Sequence, residues 1–155
     1  MIDTYEISKN TFAIIPIDSN KSEVIEDNGC FIINRNSTKI VDDSCKYFGS
    51  SYEGRVEGTK NILGLKIKSP IFIEESSDLI FFPTKSPRNW SCVWINLNKI
   101  DDYEKVNSST TKIFFSSGKA IKFNISYEII DNQVLRATRL CVVFNKRRKN
   151  FEKNG

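Results

Sequence analysis

The sequence predicts an α+β domain of mostly antiparallel strands, with an amphipathic C-terminal helix and two short helices near residues 37–62. Three observations carry that expectation. Much of the chain is made of short apolar runs punctuated by Gly, Pro, Asn and Ser, the pattern of strands and turns. Ile130, Val134, Ala137, Cys141 and Phe144 recur at helical spacing and form one apolar stripe. Ile40, Val41, Cys45 and Phe48 also recur at helical spacing, and Gly49 follows as a suitable stop.

Taken in order, Tyr5–Ser8 and Thr11–Ile17 resemble a hairpin around Lys9-Asn10. Lys21–Glu26 and Cys30–Asn34 resemble a second, with Asn28-Gly29 as a type I′ turn. Residues 37–48 read as a helix. Residues 50–63 read as another, weakened by Gly54 and Gly58. Strand signals return at Leu63–Lys68, Ile71–Glu74, Leu79–Pro83 and Cys92–Leu97, with Pro70, Pro83 and Pro87 marking ends. Thr111–Phe115 and Ala120–Ile125 form a hairpin around Ser116-Ser117-Gly118-Lys119, its second arm alternating Ile121, Phe123 and Ile125 with polar residues. The final helix carries the apolar stripe, with Asn132, Arg136 and Arg139 away from it. Lys146-Arg147-Arg148-Lys149 stands at its C-terminal end, where cations complement the helix dipole. A length of 155 residues fits one domain, taken as residues 1–147, with residues 148–155 as a basic, frayed tail.

Composition excludes several kinds of chemistry. The chain has no histidine, so His-based nucleophilic sites, His general bases and His-ligated zinc are ruled out. Four cysteines, Cys30, Cys45, Cys92 and Cys141, show no C-x-x-C spacing and read as reduced packing residues rather than a metal site. Gly49-Ser50-Ser51-Tyr52-Glu53-Gly54-Arg55-Val56 has the glycine spacing of a phosphate-binding loop. Arg55 and Val56 replace its Lys and Ser/Thr, which argues against nucleotide hydrolysis. The doublets Glu26-Asp27, Asp42-Asp43, Glu74-Glu75 and Asp101-Asp102 read as solvated surface. Neither a signal peptide nor a membrane span is evident, so a cytoplasmic protein without cofactor or metal, and no enzyme, is expected.

Charge points elsewhere. The net charge is +4, but residues 1–80 hold 9 basic and 13 acidic residues, whereas residues 81–155 hold 14 and 6. A basic half admits a polyanionic partner, or simply a solvated face. Lys85, Arg88 and Trp90 share a loop with Pro83 and Pro87, and Lys46, Tyr47, Tyr52, Arg55 and Lys60 surround the glycine-rich run. Such mixtures suit nucleic acid, because cations meet phosphates and grooves while aromatics stack.

Longer motifs sharpen this. SCKYFGSSYEGRVEGT, from Ser44 to Thr59, resembles the signature of the ComK family of competence transcription factors. KSPI (Lys68–Ile71), FFPTKSPRNWSCVWI (Phe81–Ile95), FSSGK (Phe115–Lys119), ISY (Ile125–Tyr127), and NQV and RAT in the last helix agree in order and spacing, over roughly residues 5–145. The resemblance implies a DNA-binding activator of DNA-uptake and recombination genes. It would bind A-tract/T-tract boxes in double-stranded DNA as a homo-oligomer, chiefly through the minor groove, with RNA polymerase as a further candidate partner. The candidate DNA contacts are a physical choice: Lys46, Arg55, Lys60, Lys85, Arg88, Arg136 and Arg139, with Arg55 taken as an exposed loop charge. Longer members of the family carry a C-terminal segment through which an adaptor and a Clp protease control their level. Here the chain ends soon after Asn145-Lys146-Arg147-Arg148-Lys149, which puts that control, and activation through the segment, in question. The competing reading is a non-DNA interaction module, a short paralogue that regulates a longer relative by hetero-oligomerisation.

Overall fold

Alternating side chains in a central antiparallel sheet build two cores, one on each face. The computed structural model describes residues 2–65 and 67–154. Strands β1 (Thr11–Asp18), β2 (Lys21–Glu26) and β3 (Gly29–Ile33) precede helices α1 (Ser37–Tyr47) and α2 (Tyr52–Leu63). Strands β4 (Ile71–Glu74), β5 (Leu79–Pro83) and β6 (Trp94–Asn96) follow. After one 3₁₀ turn come β7 (Ile100–Asn107), β8 (Thr110–Phe115), β9 (Ala120–Phe123) and the long helix α3 (Tyr127–Asn154). The central sheet has the order β3-β2-β1-β6-β5-β4, and β7-β8-β9 form a second sheet. This is the expected α+β class.

On one face, Ile14, Val24, Ile33, Ile71, Ile73, Phe81 and Trp94 meet Ile40, Val41 and Cys45 of α1, with Tyr52 and Val56 of α2 beside them. On the other, Phe12, Ala13, Ile25, Phe72, Ile80, Phe82 and Ile95 meet the small sheet and Ile130, Ala137 and Leu140 of α3. A register shift between Thr11 and Ala13 lets the consecutive residues Phe12 and Ala13 enter the same core. Phe12 stacks on Phe115 of β8 with ring centroids 4.9 Å apart, joining the two sheets. Ile62 and Leu63, at the end of α2, pack into the α3 core, so α2 passes around the β4 edge.

Local chemistry sets the helix ends. The Asn36 side chain accepts from the Thr38 N–H at 3.0 Å, and Ser51 accepts from the Gly54 N–H at 3.0 Å. Gly49 and Gly64, with φ of 86° and 74°, supply the left-handed residues that stop α1 and α2.

Several local expectations are corrected. Tyr5–Ser8 is not a strand, because the Ile7 N–H donates to Ser44 Oγ of α1 at 3.0 Å instead of joining a ladder. In the β2–β3 hairpin Glu26 pairs with Gly29, so the loop is Asp27-Asn28, and Gly29 has no positive φ. That register keeps Val24 and Ile33 on the helix-covered face. Leu63 closes α2 and Gly64 caps it, so Leu63–Lys68 is no strand; Lys66 lies outside the described residues. The strand at Cys92–Leu97 contracts to Trp94–Asn96. β7 was not expected: its sequence, IDDYEKVN, exposes nearly every residue at a sheet edge and so lacks apolar alternation. The helical assignment of α3 continues through residues 148–154, beyond the expected start of a tail. Among the described residues no helix is long and apolar enough to cross a membrane.

Candidate nucleic-acid interface

One buried amide organises the basic surface. Gln133 of α3 is 2% exposed and lies between Ile130 and Ala137, both fully buried. A polar side chain there must find partners. Its Nε2 donates to the carbonyls of Lys68 at 2.8 Å and Pro83 at 2.6 Å, and its Oε1 accepts from Arg136 Nη1 at 3.2 Å. Arg136 also donates to the Ile67 carbonyl at 3.3 Å. Gln133 therefore ties together α3, the segment before β4 and the segment after β5.

The segment after β5 is internally braced. Thr84 binds the Val93 carbonyl through its N–H at 3.0 Å and its hydroxyl at 2.9 Å, and the Asn89 N–H donates to the Ser86 carbonyl at 2.9 Å. Lys85 Nζ donates to Ser91 Oγ at 2.9 Å. Arg88 and Trp90 are left exposed, with Trp90 50% exposed.

Between this loop and α2 runs a groove of about 550 Å³, lined by Thr38, Tyr52, Val56, Lys68, Ser69 and Arg88, with Glu53 also on its wall. Lys68 holds a left-handed backbone at φ 52°, a strained conformation for a residue with a side chain. The buried Ser69 hydroxyl has no hydrogen-bond partner among the described residues. Burial pushes the Tyr52 phenol up to about 12, so it stays neutral. Two cations thus face a groove whose polar lining is uncharged except for Glu53.

The basic surface continues along α3. Arg139 is exposed one turn beyond Arg136. Further on, Arg147 Nη1 donates to Asn61 Oδ1 at 3.3 Å, beside the exposed Lys60 in the last turn of α2. At 1.5 Å per residue, Arg136 and Arg147 stand about 16 Å apart along the axis.

The sequence-chosen residues therefore divide. Arg136 binds Gln133 directly and Arg88 lines the groove with Lys68, while Lys85 turns to Ser91 within its own loop; Arg139 follows Arg136 on α3, and Lys60 stands beside Asn61 and Arg147. Lys46 lies outside the groove lining: it pairs with Asp42 at 3.0 Å on exposed α1. Arg55 is corrected as an exposed loop charge. It stands inside α2, its side chain is 13% exposed, and it pairs with Glu75 beyond β4.

Sequence reasoning passed over Gln133 and Lys68. Gln133 occupies a stripe position, three residues after Ile130 and four before Ala137, so an amide among apolar neighbours was its visible signal. The cysteines are dispersed. Cys45 and Cys92 are buried in the core under α1, with burial pushing the Cys45 thiol up to about 12 and the Cys92 thiol up, while Cys30 is exposed.

Comparison with known proteins matches residues 2–149 to the family described as ComK protein. The chain is 35% identical over 149 residues to the competence transcription factor of Bacillus subtilis (strain 168), covering 94% of this chain and 78% of that protein. No solved structure matches.

Proposed function

Because the chain belongs to the ComK family, we propose that it regulates transcription of competence genes by binding double-stranded DNA through the surface organised by Gln133. Gln133 ties Arg136 to the segments that carry Lys68 and the loop of Arg88, and that arrangement carries the reading. Arg136, Arg139 and Arg147, spread along a rigid helix, suit successive backbone phosphates, which position a protein without reading sequence. Arg88, exposed on a braced loop, suits the narrow minor groove of an A-tract, whose negative potential draws in guanidinium groups. The minor groove separates A·T from G·C and little more, so selectivity would rest on groove shape and box spacing. The active form is a homo-oligomer, and RNA polymerase is its partner at the promoter.

Titration of labelled A-tract and mixed-sequence duplexes at several salt concentrations tests this. Affinity should fall steeply as salt rises. In the double variant Arg136→Ala, Arg139→Ala, the salt slope should flatten by about one unit per lost phosphate contact while A-tract preference survives. Arg88→Ala should reduce the preference itself. If the double variant keeps its affinity and slope but fails to activate a reporter promoter, this face of α3 meets polymerase rather than DNA. Absence of duplex binding by the folded wild-type protein would remove the proposal.

A further inference from the structure

Four strands border the two sheets, and three of their outer edges are protected. β4 is covered by α2, where Thr59 Oγ1 donates to the Pro70 carbonyl at 2.7 Å. β7 exposes Asp101, Asp102, Glu104 and Lys105. β9 is four residues long and exposes Lys122. Charge and shortness are the usual defences against edge-to-edge pairing. β3, Gly29-Cys30-Phe31-Ile32-Ile33, has no charged residue, and Cys30, Phe31 and Ile32 are all exposed.

The backbone of this edge is also open. The Ile32 carbonyl points outward, where it accepts the Ile2 N–H at 3.4 Å, a long bond, and Ile2 returns its carbonyl to the Asn34 N–H at 2.8 Å. Alternation along a ladder places the N–H and C=O of Cys30 on the same outward side, beyond this N-terminal bridge. Phe31 stands opposite Val24 on the α1 side, while Cys30 and Ile32 stand opposite Ile25 and Glu23 on the other. Exposed apolar surface thus flanks the free backbone groups on both faces.

We infer that the β3 edge is the self-association surface, pairing antiparallel with β3 of a second copy of this chain. This rests on the reading of the protein as a homo-oligomer. Free ladder groups call for a strand, and an uncharged strand meets its own copy across a two-fold axis without opposing like charges. Asp27 and Arg35, at the two ends of the strand, are held within the chain by Lys99 at 3.6 Å and Asp43 at 2.8 Å, so neither leaves a free charge against a second copy. A polyanion is a poor occupant, since Glu23, Glu26 and Asp27 border this edge. Pairing here leaves the Gln133-centred surface free in both copies.

Sedimentation of the full chain over a range of concentrations, with hydrogen exchange resolved at the Cys30 and Ile32 amides, tests the inference. The wild type should shift from the mass of one chain to that of two, and the Cys30 amide should exchange more slowly as concentration rises. Ile32→Lys and Phe31→Lys should remain monomeric, while Val106→Lys on the β7 edge should associate like the wild type. A wild type that is monomeric throughout overturns the homo-oligomer reading and this inference with it. A wild type that associates while Ile32→Lys associates equally, or while Cys30 exchange ignores concentration, overturns the β3 assignment alone. Exchange on the wild type decides the matter even if a lysine variant fails to fold.

Discussion

Arg55 shows how little a residue's charge says about its work. Within a glycine-rich motif it reads as a free cation, yet α2 turns it inward to pair with Glu75, and its Nε is buried without a partner among the described residues. Arg55→Ala should therefore lower stability by about 1.5–3 kcal/mol, the range for a charged hydrogen bond, as read by thermal or urea unfolding. DNA affinity of the remaining folded protein should change little. The cysteines separate by burial. A maleimide reagent should label Cys30 on the native protein well before Cys45 and Cys92, which should react only once the chain unfolds; mass spectrometry of the labelled peptides checks the order. Glu74 is the reverse of Arg55, an acid whose neighbours are legible in sequence. Its carboxylate accepts from the hydroxyls and N–H groups of Ser76 and Ser77 at 2.6–2.9 Å, which holds it down to about 2. Its folded value lies below its ordinary one. It therefore stabilises the fold above the usual carboxylate range, and that contribution fades as pH falls from 4.5 toward 2. Glu74→Gln should flatten this part of an acid-unfolding profile.

At the scale of elements, α3 joins core and surface in one helix. Ile130, Ala137 and Leu140 are fully buried, whereas Val134, Cys141 and Phe144 are partly covered. The buried seam thus sits slightly around the helix from the stripe of the sequence pattern. Leu140→Ala should cost about 2–5 kcal/mol, measured by urea unfolding. Val134→Asp should cost less than the same carboxylate at Leu140. Gln133→Leu separates structure from positioning. It strips partners from the Lys68 and Pro83 carbonyls, at about 1–3 kcal/mol, and releases Arg136. The salt slope of DNA binding should flatten in the folded variant, a change that a loss of stability alone would not produce. Gln133→Glu should not rescue it, because a carboxylate cannot donate to the two carbonyls.

Across the whole molecule, the central sheet separates two different surfaces. Its outer β3 edge is uncharged and lies in the acidic half of the chain, while its opposite end carries α2, α3 and the Arg136 guanidinium held by Gln133. Legibility in the sequence followed the range of the interactions involved. The β8–β9 hairpin, α1 with its Gly49 stop, and α3 could all be read because periodicity and turn chemistry act within a few residues. Family motifs such as Ser44–Thr59 and Phe81–Ile95 were equally visible, being linear. The layering, the absence of a Tyr5–Ser8 strand and the one-residue slip of the β2–β3 loop were not. Each was settled by partners distant in sequence: Ile7 by Ser44, and the hairpin register by the cover that α1 lays over Val24 and Ile33. The same holds for the candidate site. The sequence by itself determined which cations exist, that no histidine chemistry is open to the chain, and which family the motifs belong to. Only the tertiary structure decided that Arg55 is spent on Glu75, that Arg88 and Lys68 line one groove and that Arg136 is held by Gln133, because burial and hydrogen-bond satisfaction depend on segments that meet only when the chain has folded.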